Sequence, residues 1–136
     1  MSDTLSSSQV QIGQSLPDLD IPVTSTLVVG GAMASRDYTP VHHDAGEARK
    51  QGLPDVIMNI LTTQGLCSRY VTDWAGADAL VKSVKTKLGG PNMPGDTLKL
   101  RGQVVRAEGR EIDVEIEGHN SWGNHVTATF TVELPA

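Results

Sequence analysis

Apolar and polar positions alternate with a period of two through most of the C-terminal half of the chain. Ile112, Val114 and Ile116 interleave with Asp113, Glu115 and Glu117, and Val126, Ala128, Phe130, Val132 and Leu134 interleave with Thr127, Thr129, Thr131 and Glu133. The same rhythm runs through Leu98 and Leu100 against Lys99 and Arg101, and through Val84, Thr86 and Leu88 against Ser83, Lys85 and Lys87. Successive side chains of a strand point to opposite faces, so this pattern predicts an antiparallel sheet with one dry and one wet face. Pro94-Gly95-Asp96, Gly109-Arg110 and Trp122-Gly123-Asn124 supply the turns, and Gly102 marks a bulge.

The N-terminal half reads differently. Residues 1–11 are polar and Ser-rich, which predicts a loose tail ahead of a domain spanning 12–136. Leu19 to Val29 is apolar enough for a first strand or extended segment, and Gly30 to Ser35 for a short helix or tight turn. A long helix is predicted from Asp55 to about Val71, with Pro54 and Asp55 at its start. Val56, Ile57, Ile60, Leu61, Cys67, Tyr70 and Val71 recur there at helical spacing, and the middle is almost free of charge. Such a helix is expected to be wrapped by other structure. The order is strand, polar loop, buried helix and four long strands. It suits an α+β hot-dog arrangement, a curved antiparallel sheet wrapped around one long central helix.

With 136 residues there is room for one domain. The single cysteine, Cys67, allows no internal disulfide and points to a reducing, cytoplasmic setting. No basic or apolar leader opens the sequence and no apolar run is long enough to span a bilayer, so neither targeting nor membrane insertion is expected. The net charge of −5 and only five aromatic residues argue against nucleic-acid binding. Local cations such as Lys82 and Lys85 remain available for an anionic ligand.

Arg36-Asp37-Tyr38-Thr39-Pro40-Val41-His42-His43-Asp44 is the one dense cluster of titratable groups outside the strands. It lies in a loop, where catalytic groups tend to be presented by a rigid scaffold. A carboxylate and an imidazole from one turn can share a water and act as an acid–base pair near neutral pH. Spacing alone still favours the plainer reading, a solvated polar loop. His43 and Asp44 read as structural, with Asp44 capping the next turn. His119 and His125 flank a turn and read as solvated, so no metal site is expected. Cys67 reads as packing rather than a nucleophile. Trp74 and Trp122 are open between an acyl pocket, a subunit interface and ordinary packing.

The segment SRDYTPVHHD resembles the motif of MaoC-like (R)-specific enoyl-CoA hydratases, in which Asp, four residues and then His follow a small helix. The resemblance runs from about Leu16 to Leu134 and implies that Asp37 and His42 activate the water that adds across an enoyl-CoA double bond. It also implies a backbone N–H at the head of the core helix as donor to the thioester oxygen. The matching position is Asn59, and Met58-Asn59 replaces the usual His-Gly. The family's polar helix residue falls at Cys67, and Thr39-Pro40 stands for Asn-Pro. ASRDYTPVHHD and NILTTQGLCSRYVTDWAG further resemble the small catalytic subunit of the actinobacterial heteromeric MaoC-like hydratases of steroid side-chain breakdown. This implies a steroid enoyl-CoA substrate and a larger MaoC-like partner, with a homodimer in its absence. No cofactor is implied, coenzyme A being part of the substrate. Trp74, Lys82 and Lys85 are carried as expected substrate contacts. The rival readings are an acyl-CoA thioesterase and a non-catalytic partner subunit.

Overall fold

The computed structural model describes residues 3–136; Met1 and Ser2 lie outside the described residues. Five strands form one antiparallel sheet in the order β1-β3-β4-β5-β2. They are β1 (Leu19–Pro22), β2 (Leu80–Leu88), β3 (Thr97–Glu108), β4 (Glu111–Asn120) and β5 (Gly123–Glu133). Three helices, α1 (Ser25–Ala34), α2 (Ala45–Lys50) and α3 (Ile60–Ala75), come between β1 and β2. The alternation sorts β3, β4 and β5 as expected, whereas the edge strand β2 buries none of its residues and leaves Leu88 exposed. Leu98, Leu100, Ile112, Val114, Ile116, Val126, Phe130 and Val132 are buried, and join Cys67, Tyr70, Val71 and Ala75 of α3 in one core. No helix among the described residues is long and apolar enough to cross a membrane.

Several local expectations are corrected by tertiary contacts. The core helix starts at Ile60, not Asp55, and runs to Ala75 rather than Val71. The residues just before it are drawn out by hydrogen bonds to distant segments: Ile57 N–H donates to the Val41 carbonyl at 3.0 Å and Met58 N–H to the Asn92 carbonyl at 2.9 Å. One stripe of α3 is buried, through Thr63, Cys67, Tyr70, Val71 and Ala75, while Ile60 and Leu61 are exposed. The sheet wraps α3 along that stripe, as the hot-dog arrangement requires, and the opposite side of the helix is left uncovered by this chain. The expected strand to Val29 stops at Pro22, because Thr24 Oγ1 accepts from Leu27 N–H at 3.0 Å and caps α1.

The bulge in β3 falls between Val104 and Arg106 rather than at Gly102. Gly102 answers to packing instead, since a Cβ there would lie 3.0 Å from Tyr70 Cε1. The last hairpin turns on Ser121-Trp122, one residue earlier than expected, with Asn120 paired to Gly123. In the segment expected to be loose, Leu5 N–H donates to the Ala75 carbonyl, Ser7 N–H donates to the Pro135 carbonyl, and Val10 is buried.

Candidate active site

The end of α1 and the start of α3 place the polar loop. Ser35 caps α1 through its hydroxyl, which donates to the Gly31 carbonyl at 2.7 Å. Arg36 then takes φ 55°, and Asp37 N–H returns to the Ala32 carbonyl at 2.9 Å. This reversal brings Asp37 alongside a 3-10 turn, Pro40–His42, which carries His42. Asp44 caps α2 by accepting from Glu47 N–H at 3.2 Å, and the exposed His43 contacts the Tyr38 carbonyl.

Asp37 Oδ2 lies 3.3 Å from His42 Nε2. On its other oxygen Asp37 accepts from the Thr39 hydroxyl at 2.8 Å and the Thr39 N–H at 3.2 Å. Those bonds, the Thr39 hydroxyl first, and a further one from the Asn59 side-chain amide to Oδ2 at 3.1 Å hold the carboxyl below its ordinary range, so it stays ionised. His42 Nδ1 lies 2.6 Å from the Ile57 carbonyl. A carbonyl only accepts, so Nδ1 carries a proton, and in the neutral ring Nε2 is a bare acceptor. Two acceptors then face one another, an arrangement that suits a donor such as water held by both.

Asn59 stands beside them as the N-cap of α3, 2 % exposed. Its backbone amide makes no hydrogen bond to another described residue. The side chains of His42 and Asp37 are 13 % and 25 % exposed. The elements that carry them also expose large apolar groups: Met33, Tyr38, Ile60 and Leu61.

Asp37, His42 and Asn59 are thus brought together, whereas Trp74, Lys82 and Lys85 are not. Trp74 sits in the last turn of α3, roughly 22 Å along the axis from Asn59. There it lines a cavity of about 170 Å³ with Pro17, Leu19 and Tyr70. Lys82 pairs with Glu133 at 3.3 Å, and Lys85 is in register with Thr129 on the sheet face turned away from α3. Both lysines belong to the wet face. Trp122 is exposed at a hairpin.

Cys67 is fully buried and its thiol is pushed up to about 12 by burial, which leaves it no role as a thiolate. His125, expected to be solvated, is 1 % exposed. Its Nδ1–H donates to the Gly90 carbonyl at 2.8 Å, so Nε2 accepts from the Thr63 hydroxyl at 2.9 Å. Burial pushes its pKa down, and it stays neutral. Among the described residues no three His, Cys, Asp or Glu side chains converge as a metal set.

Comparison with known proteins places the chain in a family. The chain is 43 % identical over 123 residues to the 3-oxo-4,17-pregnadiene-20-carboxyl-CoA hydratase beta subunit of Mycobacterium tuberculosis, covering 90 % of this chain and 95 % of that protein. It matches a chain of the crystal structure of the ChsH1-ChsH2 complex from Mycobacterium tuberculosis with a TM-score of 0.89 and 43 % identity, over 91 % of this chain and 98 % of that one. An R-hydratase from Pseudomonas aeruginosa in the unliganded form has the same fold, with a TM-score of 0.88 at 18 % identity over 97 % and 86 % of the two chains. Residues 7–123 match the model of the MaoC like domain, and the chain belongs to that family.

Proposed function

We propose that this chain is the catalytic subunit of an enoyl-CoA hydratase that adds water across the 2,3-double bond of a steroid side-chain enoyl-CoA, within a complex with a larger MaoC-like subunit. The observation that carries the reading is the 3.3 Å approach of Asp37 Oδ2 to His42 Nε2, with the imidazole proton held on the other nitrogen by Ile57. The substrate class and the partner are supported by 43 % identity to the pregnadiene carboxyl-CoA hydratase beta subunit and by the likeness to a two-protein complex. A covering partner also agrees with the exposed Met33, Tyr38, Ile60 and Leu61 on the elements that carry the pair. A cytoplasmic setting is part of the proposal, in keeping with a lone buried cysteine.

In the proposed mechanism one water donates hydrogen bonds to Asp37 and to the bare Nε2 of His42. As its oxygen bonds to the β-carbon, His42 takes the proton, and Asp37 stabilises the imidazolium that forms. The electrons of the double bond move toward the thioester carbonyl, whose oxygen accepts from the Asn59 N–H at the positive end of α3. The proton then passes from the Asp37/His42 pair to the α-carbon, so one molecule of water is added and nothing is released. Loss of one such oxyanion donor raises a barrier by about 3 kcal/mol.

The test is hydration of a steroid enoyl-CoA by the co-expressed subunits, followed by loss of enoyl-thioester absorbance. Asp37→Asn and His42→Ala are each expected to abolish hydration while the circular dichroism spectrum is unchanged. Wild-type rates in either variant remove both residues from the mechanism, and release of free coenzyme A identifies a thioesterase instead.

A further inference from the structure

Asn59 contributes more than a backbone amide. Its Oδ1 accepts from the Thr62 N–H at 3.1 Å and from the Thr62 hydroxyl at 2.5 Å. A backbone N–H can only donate, so the carboxamide is fixed with its oxygen toward the helix and its nitrogen outward. Nδ2 then donates to Ser35 Oγ at 2.9 Å and to Asp37 Oδ2 at 3.1 Å. Asp37 is therefore gripped on both oxygens, Oδ1 by Thr39 and Oδ2 by Asn59, and the oxygen that Asn59 grips is the one facing His42.

We propose that the Asn59 side chain is a positioning residue for hydration, holding the Asp37 carboxylate in the orientation in which Oδ2 and His42 Nε2 bind one water. This deepens the function proposed above and rests on it. Without Nδ2 the carboxylate keeps only its Thr39 contacts and can turn about its side-chain bonds, so the two acceptors no longer meet at one point. A hydrogen bond to a charged group is worth enough for its loss to be felt as about tenfold in rate.

The same donor bears on the protonation of Asp37. Thr39 and Asn59 both favour the carboxylate, and the titratable group that acts on it through its charge is His42, on the 3-10 turn. The neighbours on the end of α1 and the first turn of α3, Ser35, Asn59 and Thr62, are uncharged. Removing the Asn59 donor raises the Asp37 pKa, and a second carboxylate in its place raises it further.

Asn59 also caps α3, so the test keeps the cap and changes only the donor. Serine and aspartate are both good N-caps; serine lacks the reaching amide, and aspartate places a negative charge against Asp37. Asn59→Ser, Asn59→Asp, Asp37→Asn and His42→Ala are assayed in the assembled enzyme, with melting followed by circular dichroism. For Asn59→Ser we expect kcat to fall about tenfold with KM little changed. The acid limb of the kcat/KM profile should move to higher pH, and further in Asn59→Asp. Wild-type kcat in Asn59→Ser, or an acid limb that stays in place in both variants, overturns the inference, because a merely structural cap would set neither the rate nor the titration of the Asp37/His42 pair that the limb reports. If Asp37→Asn and His42→Ala are inactive in that case, the positioning role alone fails. If they hydrate normally, the assignment of the acid–base pair fails with it.

Discussion

Arg36 occupies the left-handed region at φ 55°, where an L side chain is strained by about 1–2 kcal/mol. It closes α1 by donating to the Met33 carbonyl at 3.1 Å while Asp37 N–H reaches the Ala32 carbonyl, the paired bonds of a Schellman end. Glycine is the usual residue there. Arg36→Gly is expected to stabilise the chain by about 0.5–1 kcal/mol, the relieved strain less the greater entropy of an unfolded glycine. The urea midpoint measures it, and a midpoint at or below wild type contradicts the account. At this scale the motif around Asp37 and His42 was legible, since both lie on one short loop. The Asn59 carboxamide was not, because its partners Ser35 and Asp37 are more than twenty residues away. His125 was misread for the same reason: its partners Thr63 and Gly90 are 62 and 35 residues distant.

The helices α1 and α3 meet where the site is built, and Gly31 allows their close approach. A Cβ on Gly31 would overlap Thr62 Oγ1 and come within 2.8 Å of Thr62 Cγ2. That hydroxyl is already held by Asn59, so the overlap cannot be relieved by a simple turn of the side chain. Gly30, the next residue in the same helix, has nothing within 4 Å of such a Cβ. Gly30→Ala is expected to stabilise by up to about 1 kcal/mol through helix propensity. Gly31→Ala gains the same propensity, but overpacking opposes it by about 1–3 kcal/mol and disturbs Asn59. It should melt below Gly30→Ala and hydrate more slowly than wild type; equal melting and equal rates for the two would show that the helices are free to separate.

Element boundaries followed the same division. Strand alternation was legible because it is a two-residue rule. The true start of α3 was not, because Val41 and Asn92 compete for the amides of Ile57 and Met58. The Thr24 cap of α1 was present in the sequence, but the apolar run after it reads equally well as a strand.

For the molecule as a whole, His125 ties three parts together: it sits on β5, accepts from Thr63 of α3, and donates to the Gly90 carbonyl in the loop after β2. Its folded pKa lies below the ordinary value of 6.5 because burial disfavours the cation. The unfolded chain therefore binds the extra proton first as pH falls. The stability that His125 contributes is complete above about pH 6.5 and is lost from there down toward its folded pKa. Asp37, Asp96 and Asp113, held low by their donors, act in a more acid window, with stability lost as pH falls through their folded values below 3.8. Urea midpoints at pH 7.5 and 5.5 should fall for the wild type and fall less for His125→Gln, although the variant starts lower. An equal drop in both would mean that the imidazole is not the group responsible.

The sequence by itself determined the sheet, its dry and wet faces, the existence of one core helix, and the loop on which a carboxylate and an imidazole lie five residues apart. These are short-range matters: a period of two, a helical spacing, and a family motif written in consecutive residues. Tertiary structure alone decided that α3 begins at Ile60 behind the Asn59 cap, that the Asn59 side chain grips Asp37, that His125 is buried, and that Trp74, Lys82 and Lys85 lie away from the pair. Each of those outcomes depends on which distant donor or acceptor arrives in space, and residue order along the chain carries no such distance.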